Sequence, residues 1–181
     1  MLVFKQYQGN ASTSSAWTGY GMAMSDGNTP RILVDGDACP VKDEVYKVAW
    51  RHDVPVVLVA NSHLRIPDHP LISRVTVTDS FDAADDWIAE QSSAATLVIT
   101  ADILLADRCL KAGATVLAPN GKPFTGSGIG SAVAVRAIMA DQRAGAVGAP
   151  LGGPPPFTKA DRSRFLSELD TMVVRLKRTH P

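Results

Sequence analysis

"RILVDGDACPV", residues 31–41, is the stretch that decides how this chain folds. A run of β-branched and aliphatic residues stops on an aspartate, and Pro40 then opens a segment with helical periodicity. Such runs favour a pleated, buried strand, and proline suits the first turn of a helix. The strand therefore ends on Asp35, with Asp37 two positions on, which points both carboxylates to one side if the extended conformation persists. Two carboxylates at close range resist joint ionisation unless a cation lies between them.

Outward from that stretch the same rhythm continues. Residues 41–53 place Val41, Val45, Val48, Ala49 and His52 on one helical face, with Asp43 and Glu44 in the first turn where the helix dipole favours acids. "VPVVLVAN" and "SRVTVTD" read as strands, "DAADDWIAEQ" as a helix, "TLVIT" as a strand, "DILLADRCLKAG" as a helix closing at Gly113, and "ATVLA" as a strand. Near-continuous apolar strands alternating with helices predict an α/β domain with a mainly parallel central sheet covered on both faces. "PNGKPFTGSGIG" reads as a loop and residues 129–142 as a helix; "GSGIGS" at 126–131 follows that long loop rather than the first strand, so it reads as the lead into a helix and not as a dinucleotide fingerprint.

The expected organisation is a disordered extension at residues 1–30, rich in Ser, Thr, Gly and Asn with Met22 and Met24 as alternative starts, then the α/β domain at 31–143. A Gly/Pro-rich linker follows at 144–157 and an amphipathic C-terminal helix, packed on the domain, at 158–181. That helix begins at Thr158 with Asp161 three residues on, in the manner of a capping box, and carries Phe165, Leu169, Met172, Val173 and Leu176 as an apolar stripe.

Composition narrows the function classes. The chain has 181 residues, 45% of them hydrophobic, which suits one domain with a substantial core. No apolar run approaches the roughly 20 residues of a membrane helix. Two cysteines, Cys39 and Cys109, form no zinc spacing and no disulfide framework, and no signal peptide is evident, so a reduced, cytoplasmic protein is expected. Formal net charge is zero, yet residues 31–120 hold 8 Lys/Arg against 13 Asp/Glu, and residues 121–181 hold 9 against 4. That segregation suits a cation-binding acidic site beside a basic surface for phosphates.

Ligands of open α/β sheets gather at the carboxyl ends of the strands. There the sequence places Asp35 and Asp37, then Asp79, then Thr100 and Asp102. In "SFDAADDWIAE", Asp82 suits a helix N-cap, whereas Asp85 lies four residues after Phe81 and three before Ile88, on the face that looks toward the sheet. A carboxylate there needs a partner, and a hard cation is a natural one. Oxygen ligands without histidine or thiol spacing select Mg²⁺ or Mn²⁺. Cys39 sits at a helix N-terminus, which favours a lowered pKa, but no histidine is placed as its base.

Taken together, "VDGDACPV", "VLVANSHLRIP", "SFDAADDWI", "LVITADILLA", "VLAPNGKPFT" and "GGPPPFTKADRSRF" resemble the successive blocks of the YaiI/YqxD family, bacterial proteins grouped with the PIN-like nucleases. The likeness runs from about Arg31 to Arg178, with Gly36 and Leu104 standing where alanine and proline are expected. It implies a PIN-like three-layer fold with an acidic divalent-metal site of Asp35 with Asp37 beside it, Asp85 with Asp82 near, and Asp102. The expected function is a Mg²⁺- or Mn²⁺-dependent phosphodiesterase on RNA or single-stranded nucleic acid, with Asp35, Asp85 and Asp102 catalytic and Asn61, Arg65, Thr100, Arg162 and Arg164 on the substrate. Two alternatives stand beside it: a haloacid-dehalogenase-type phosphatase with Asp35 as nucleophile, and a non-catalytic nucleic-acid-binding protein with a degenerate site.

Overall fold

The computed structural model describes residues 28–37, 39–77, 82–130 and 157–181. Five parallel strands and one antiparallel edge strand form a single sheet: β1 (Arg31–Asp35), β2 (Val56–Ala60), β3 (Ile72–Thr76), β4 (Thr96–Ile99), β5 (Thr115–Leu117) and β6 (Pro123–Phe124), in the order β3-β2-β1-β4-β5-β6. The helices are α1 (Lys42–His52), α2 (Ala83–Gln91), α3 (Ile103–Lys111) and α4 (Lys159–Thr179), and residues 126–130 are also helical. This is the expected three-layer α/β arrangement with a C-terminal helix.

The layers follow from the alternation of side chains along each strand. Ile32, Val34, Val56, Leu58, Leu97, Ile99 and Leu117 face α1 and α4, while Leu33, Val57, Val59, Val98 and Val116 face α2 and α3. Every residue of β2 and β4 is buried, which is why these strands read as unbroken apolar runs. The order of strands reverses between β1 and β4, so the chain departs from the sheet centre in opposite directions and leaves a crevice at their carboxyl ends.

Three readings need correction. The helix expected from residue 129 is already present at residue 126, so the end of the stretch read as loop is helical. Pro123 and Phe124, taken as loop, pair with Leu117 and Val116 as an edge strand; proline is tolerated there because an edge position does not require its missing N–H. Pro40 lies in the turn before α1, and the helix begins at Lys42 with Val41 at its N-cap position. The expected disordered segment (but for residues 28–30), Asp79, most of the helix at 129–142 and the Gly/Pro-rich linker (but for Phe157) lie outside the described residues.

α4 carries the expected capping box: the Thr158 hydroxyl accepts from the Asp161 N–H at 3.1 Å, and the Asp161 carboxylate accepts from the Thr158 N–H at 3.0 Å. It runs alongside α1 in the same direction, with Arg162 on Glu44 at its start and Asp170 on Arg51 and His52 two turns later. Its first turns also back onto the loop after β5. Gly121 there has φ +76°, and a Cβ would lie 2.5 Å from the Phe165 nitrogen and 2.8 Å from the Arg164 carbonyl carbon. Left-handed backbone and a clash with main chain combine, so Gly121→Ala is expected to destabilise the protein by roughly 2–4 kcal/mol. Urea unfolding checks this, and an unchanged midpoint would show that the loop yields freely.

Candidate functional site

At the carboxyl edge β1 ends on Asp35, whose side chain follows Leu33 onto the α2 face of the sheet. The neighbouring strand β4 delivers Thr100 to the same crevice. Its hydroxyl, fully buried, donates to Asp35 Oδ2 at 2.9 Å and accepts from the Asp102 N–H at 3.0 Å. One small side chain thus ties the ends of two strands and orients the acid on one of them. Asp102 caps α3, its Oδ1 accepting from the N–H groups of Leu104 at 2.7 Å and Leu105 at 3.2 Å.

α2 packs against β1 and β2, bringing Asp85 to this edge beside the buried Ala84 and Ile88. Asp85 is pushed up to about 6, first by burial and then by the charges of Asp35, Asp102 and Asp82, with Arg108 opposing. Arg108 is itself bonded to Asp86 at 2.8 Å. Asp35 is likewise raised, by burial foremost, against the Thr100 hydrogen bond that lowers it, and further by Asp37 and Asp102. Acids from three separate segments therefore feel one another at a single edge. Asp82 occupies the N-cap position of α2 but makes no side-chain capping bond, and it is exposed.

Asp37 lies near Asp35, acting on it through its charge and its backbone N–H, while its own carboxylate is held elsewhere. The strand ends at Asp35, Gly36 turns the chain while its N–H donates to Val59 O at 2.8 Å, and the Asp37 carboxylate is drawn to the loop after β2. There it accepts from the Asn61 N–H at 3.0 Å and the Ser62 hydroxyl at 3.4 Å. An alanine at 36 would put its Cβ 2.6 Å from Leu64 Cδ1 and 3.0 Å from Val59 O, so the end of the Leu64 side chain would have to move to admit it. Asn61 contributes backbone rather than side chain to Asp37; its Oδ1 is buried with no partner. Arg65 is exposed and makes no hydrogen bond among the described residues.

Arg162 and Arg164 stand on the other face of the sheet, at the start of α4. Arg162 bonds Glu44 Oε1 at 2.7 Å and lies over the Phe157 ring, and Arg164 bonds Asp161 at 3.1 Å and Asn120 O at 3.2 Å. Glu44 escaped the sequence reading, which took it only as a dipole-favoured acid of the first turn, although its spacing of three from Val41 and four to Val48 places it on the apolar face. Cys39 is buried and its thiol is pushed up to about 11, mainly by desolvation, the charges of Asp35 and Glu44 adding to this. The lowered thiol pKa that a helix N-terminus favours is not realised.

The donors at this edge are carboxylate oxygens, and Asp35 and Asp85 are raised first by burial and then by neighbouring carboxylates. That chemistry fits a hard divalent cation. Among the described residues no three His, Cys, Asp or Glu side chains are gathered closely enough to hold a metal ion between them. Mg²⁺ commonly keeps several waters and takes only one or two carboxylates.

Raised acids also leave a mark on stability. Between about pH 4 and pH 6 folded Asp85 holds a proton that the unfolded chain releases, so stability falls as pH rises through 6. Asp85→Asn is expected to raise the midpoint at pH 8 by on the order of 1 kcal/mol after solvent screening, roughly 2–4 °C, and to lose that advantage at pH 4.5. Thermal unfolding at both pH values, without divalent ions, tests this; a gain independent of pH would show that Asp85 carries no repulsion.

The fold and edge describe an α/β domain with an acidic crevice at its strand reversal. The chain belongs to the uncharacterised YaiI/YqxD family, whose model matches residues 33–175. It is 68% identical over 151 residues to a UPF0178 protein of Sphingopyxis alaskensis, covering 83% of this chain and 97% of that one. A UPF0178 protein of Jannaschia sp. is 60% identical over 81% of this chain and 94% of its own, and one of Rhodopseudomonas palustris 58% identical over 86% and 96%. No solved structure matches the chain. No helix among the described residues is long and apolar enough to cross a membrane.

Proposed function

We propose that the acidic edge is the active site of a divalent-metal-dependent phosphodiesterase that cleaves RNA or other single-stranded nucleic acid in the cytoplasm. The observation that carries this reading is that Asp35, Asp85 and Asp102, from β1, α2 and the start of α3, stand near enough at one edge for the charges of Asp35 and Asp102 to raise Asp85 and that of Asp102 to raise Asp35. Asp85 has no part in a phosphatase built on two aspartates after the first strand, which favours the nuclease reading over that alternative.

In this reading Asp35, Asp85 and Asp102 hold Mg²⁺ or Mn²⁺, with Asp37 and Asp82 at the margin of the site. A bound ion of this kind polarises a phosphoryl oxygen and lowers the pKa of water. Thr100 keeps the Asp35 carboxylate turned into the crevice and fixes the backbone of Asp102. Asp85, ionising near pH 6 in the ion-free protein, must shed its proton to serve as a ligand, so ion binding weakens as pH falls below that value. In the same reading Asn61 and Arg65, on the loop after β2, would meet the substrate; the exposure of Arg65 supports that role.

The deciding experiment is a Mn²⁺ titration of the purified protein with labelled single-stranded RNA, run beside Asp35→Asn. Ion-dependent cleavage by the wild type alone supports the proposal. Equal cleavage by both, or none at any ion concentration, removes it.

A further inference from the structure

The pair between Glu44 and Arg162 is poorly explained by stability. Glu44 is only 5% exposed; one oxygen receives Arg162, and the other, Oε2, is buried with no partner. A buried ion pair rarely outperforms apolar residues of the same size, and an unsatisfied carboxylate oxygen adds to the cost. What the arrangement does achieve is to fix a guanidinium. Arg162 is held by Glu44 on one side and by the Phe157 ring, 5.4 Å away, on the other, yet remains 45% exposed along its side chain. Arg164, half exposed, is fixed by Asp161 and by the carbonyl of Asn120, in the loop whose Gly121 abuts the backbone of α4.

Both guanidiniums lie at the same sheet edge as the acids. Glu44 is in the first turn of α1, which leaves the carboxyl end of β1, and Asn120 follows β5. Cys39, between β1 and α1, feels both Asp35 and Glu44. A phosphodiester strand that crosses this edge from the α2 side to the α1 side would meet two cations whose side-chain freedom is already restricted. Preorganised guanidiniums lose less entropy on meeting phosphate and can bind it in a fork.

We infer that the start of α4 is a phosphate-backbone grip for single-stranded nucleic acid, formed by Arg162 and Arg164, with Glu44 as the positioning residue for Arg162. The choice of partner rests on the hydrolase reading above. The grip lies on the helix after the α/β domain rather than on the domain that carries the acids, so holding and cutting are separable.

The test is binding of a fluorescein-labelled oligouridylate of about 15 nucleotides to the full chain in EDTA, by anisotropy across a salt series. It compares the wild type, the double variant Glu44→Gln with Arg162→Gln, Arg164→Ala, and the control Arg175→Ala with Lys177→Ala at the far end of α4. The double variant keeps a neutral amide pair where Arg162→Ala alone would strand a buried charge, and thermal unfolding confirms each fold. Loss of one phosphate contact makes the slope of log K against log salt shallower by about 0.7 and weakens binding about fivefold at 0.1 M salt. Glu44→Gln alone should retain most of the binding, because glutamine still accepts from Arg162, whereas Glu44→Ala should weaken it only when Arg162 is present. That dependence separates positioning from a general structural role.

Shallower slopes for the double variant and Arg164→Ala, with the far-end control unchanged, support the grip. Equal losses in the control, or unchanged binding in every variant, overturn it. If the strand is still cut in Mn²⁺ in those cases, the hydrolase reading survives, whereas a wild type that neither binds nor cuts removes both.

Discussion

Asp35→Asn is expected to reduce Mn²⁺-dependent cleavage of single-stranded RNA by on the order of 10³-fold, with the fold intact. Losses of 10²–10³ follow removal of one electrostatic stabiliser from a preorganised site, and Asp35 stands at its centre. The substitution is nearly isosteric, and the asparagine carbonyl can still accept from Thr100, so β1 and β4 stay tied. Because burial already raises Asp35, its charged form is disfavoured in the ion-free protein, and neutralising it should not lower thermal stability above neutral pH. Single-turnover cleavage measured beside thermal unfolding separates the two effects. A variant that cuts as fast as wild type would place the chemistry elsewhere; one that unfolds at a lower temperature would show that the carboxylate holds the strand end together.

Phe165→Ala is expected to give the largest loss of stability, about 3–5 kcal/mol. Phe165 is fully buried where α4 meets α1 and the sheet, in the same cluster as Leu97, Ile99 and Leu117. Its backbone nitrogen also faces Gly121 at close range, leaving little room for collapse around a missing ring. Equilibrium unfolding in urea gives the loss directly. A cost below about 1 kcal/mol would mean that α4 shifts to fill the space, and the description of its start as rigidly seated would then be wrong.

Much of the architecture was legible because its signals are local. "RILVD", "VPVVLVA" and "TLVIT" announce central strands through unbroken apolar content, and Thr158 with Asp161 announces the start of α4 through a contact spanning three residues. β6 was hidden because Pro123 sits among Gly, Asn and Lys residues that read as a turn, and only pairing with β5 makes it a strand. Around the site, Asp35, Asp85 and Asp102 were visible as acids at strand ends or on an inward helix face. Asp37 stays near enough to act on Asp35, but its side chain was not foreseen on the loop after β2, because a two-residue period holds only while the strand lasts and the strand ends at Asp35. The pairing of Arg162 was hidden because its partner Glu44 lies 118 residues away, and no local pattern marks a pair so distant.

The seating of α4 also bears on how the polypeptide matures. The sheet face formed by Ile32, Val34, Leu58, Leu97 and Ile99 is shared between α1, made early, and α4, made after every strand of the sheet. Until residues 158–179 have emerged from the ribosome, part of that face has no cover, and a nascent chain stalled earlier presents a sticky apolar surface to chaperones. Docking of α4 therefore follows synthesis of the whole sheet, and a chain lacking this helix should be recognised in the cell as unfinished.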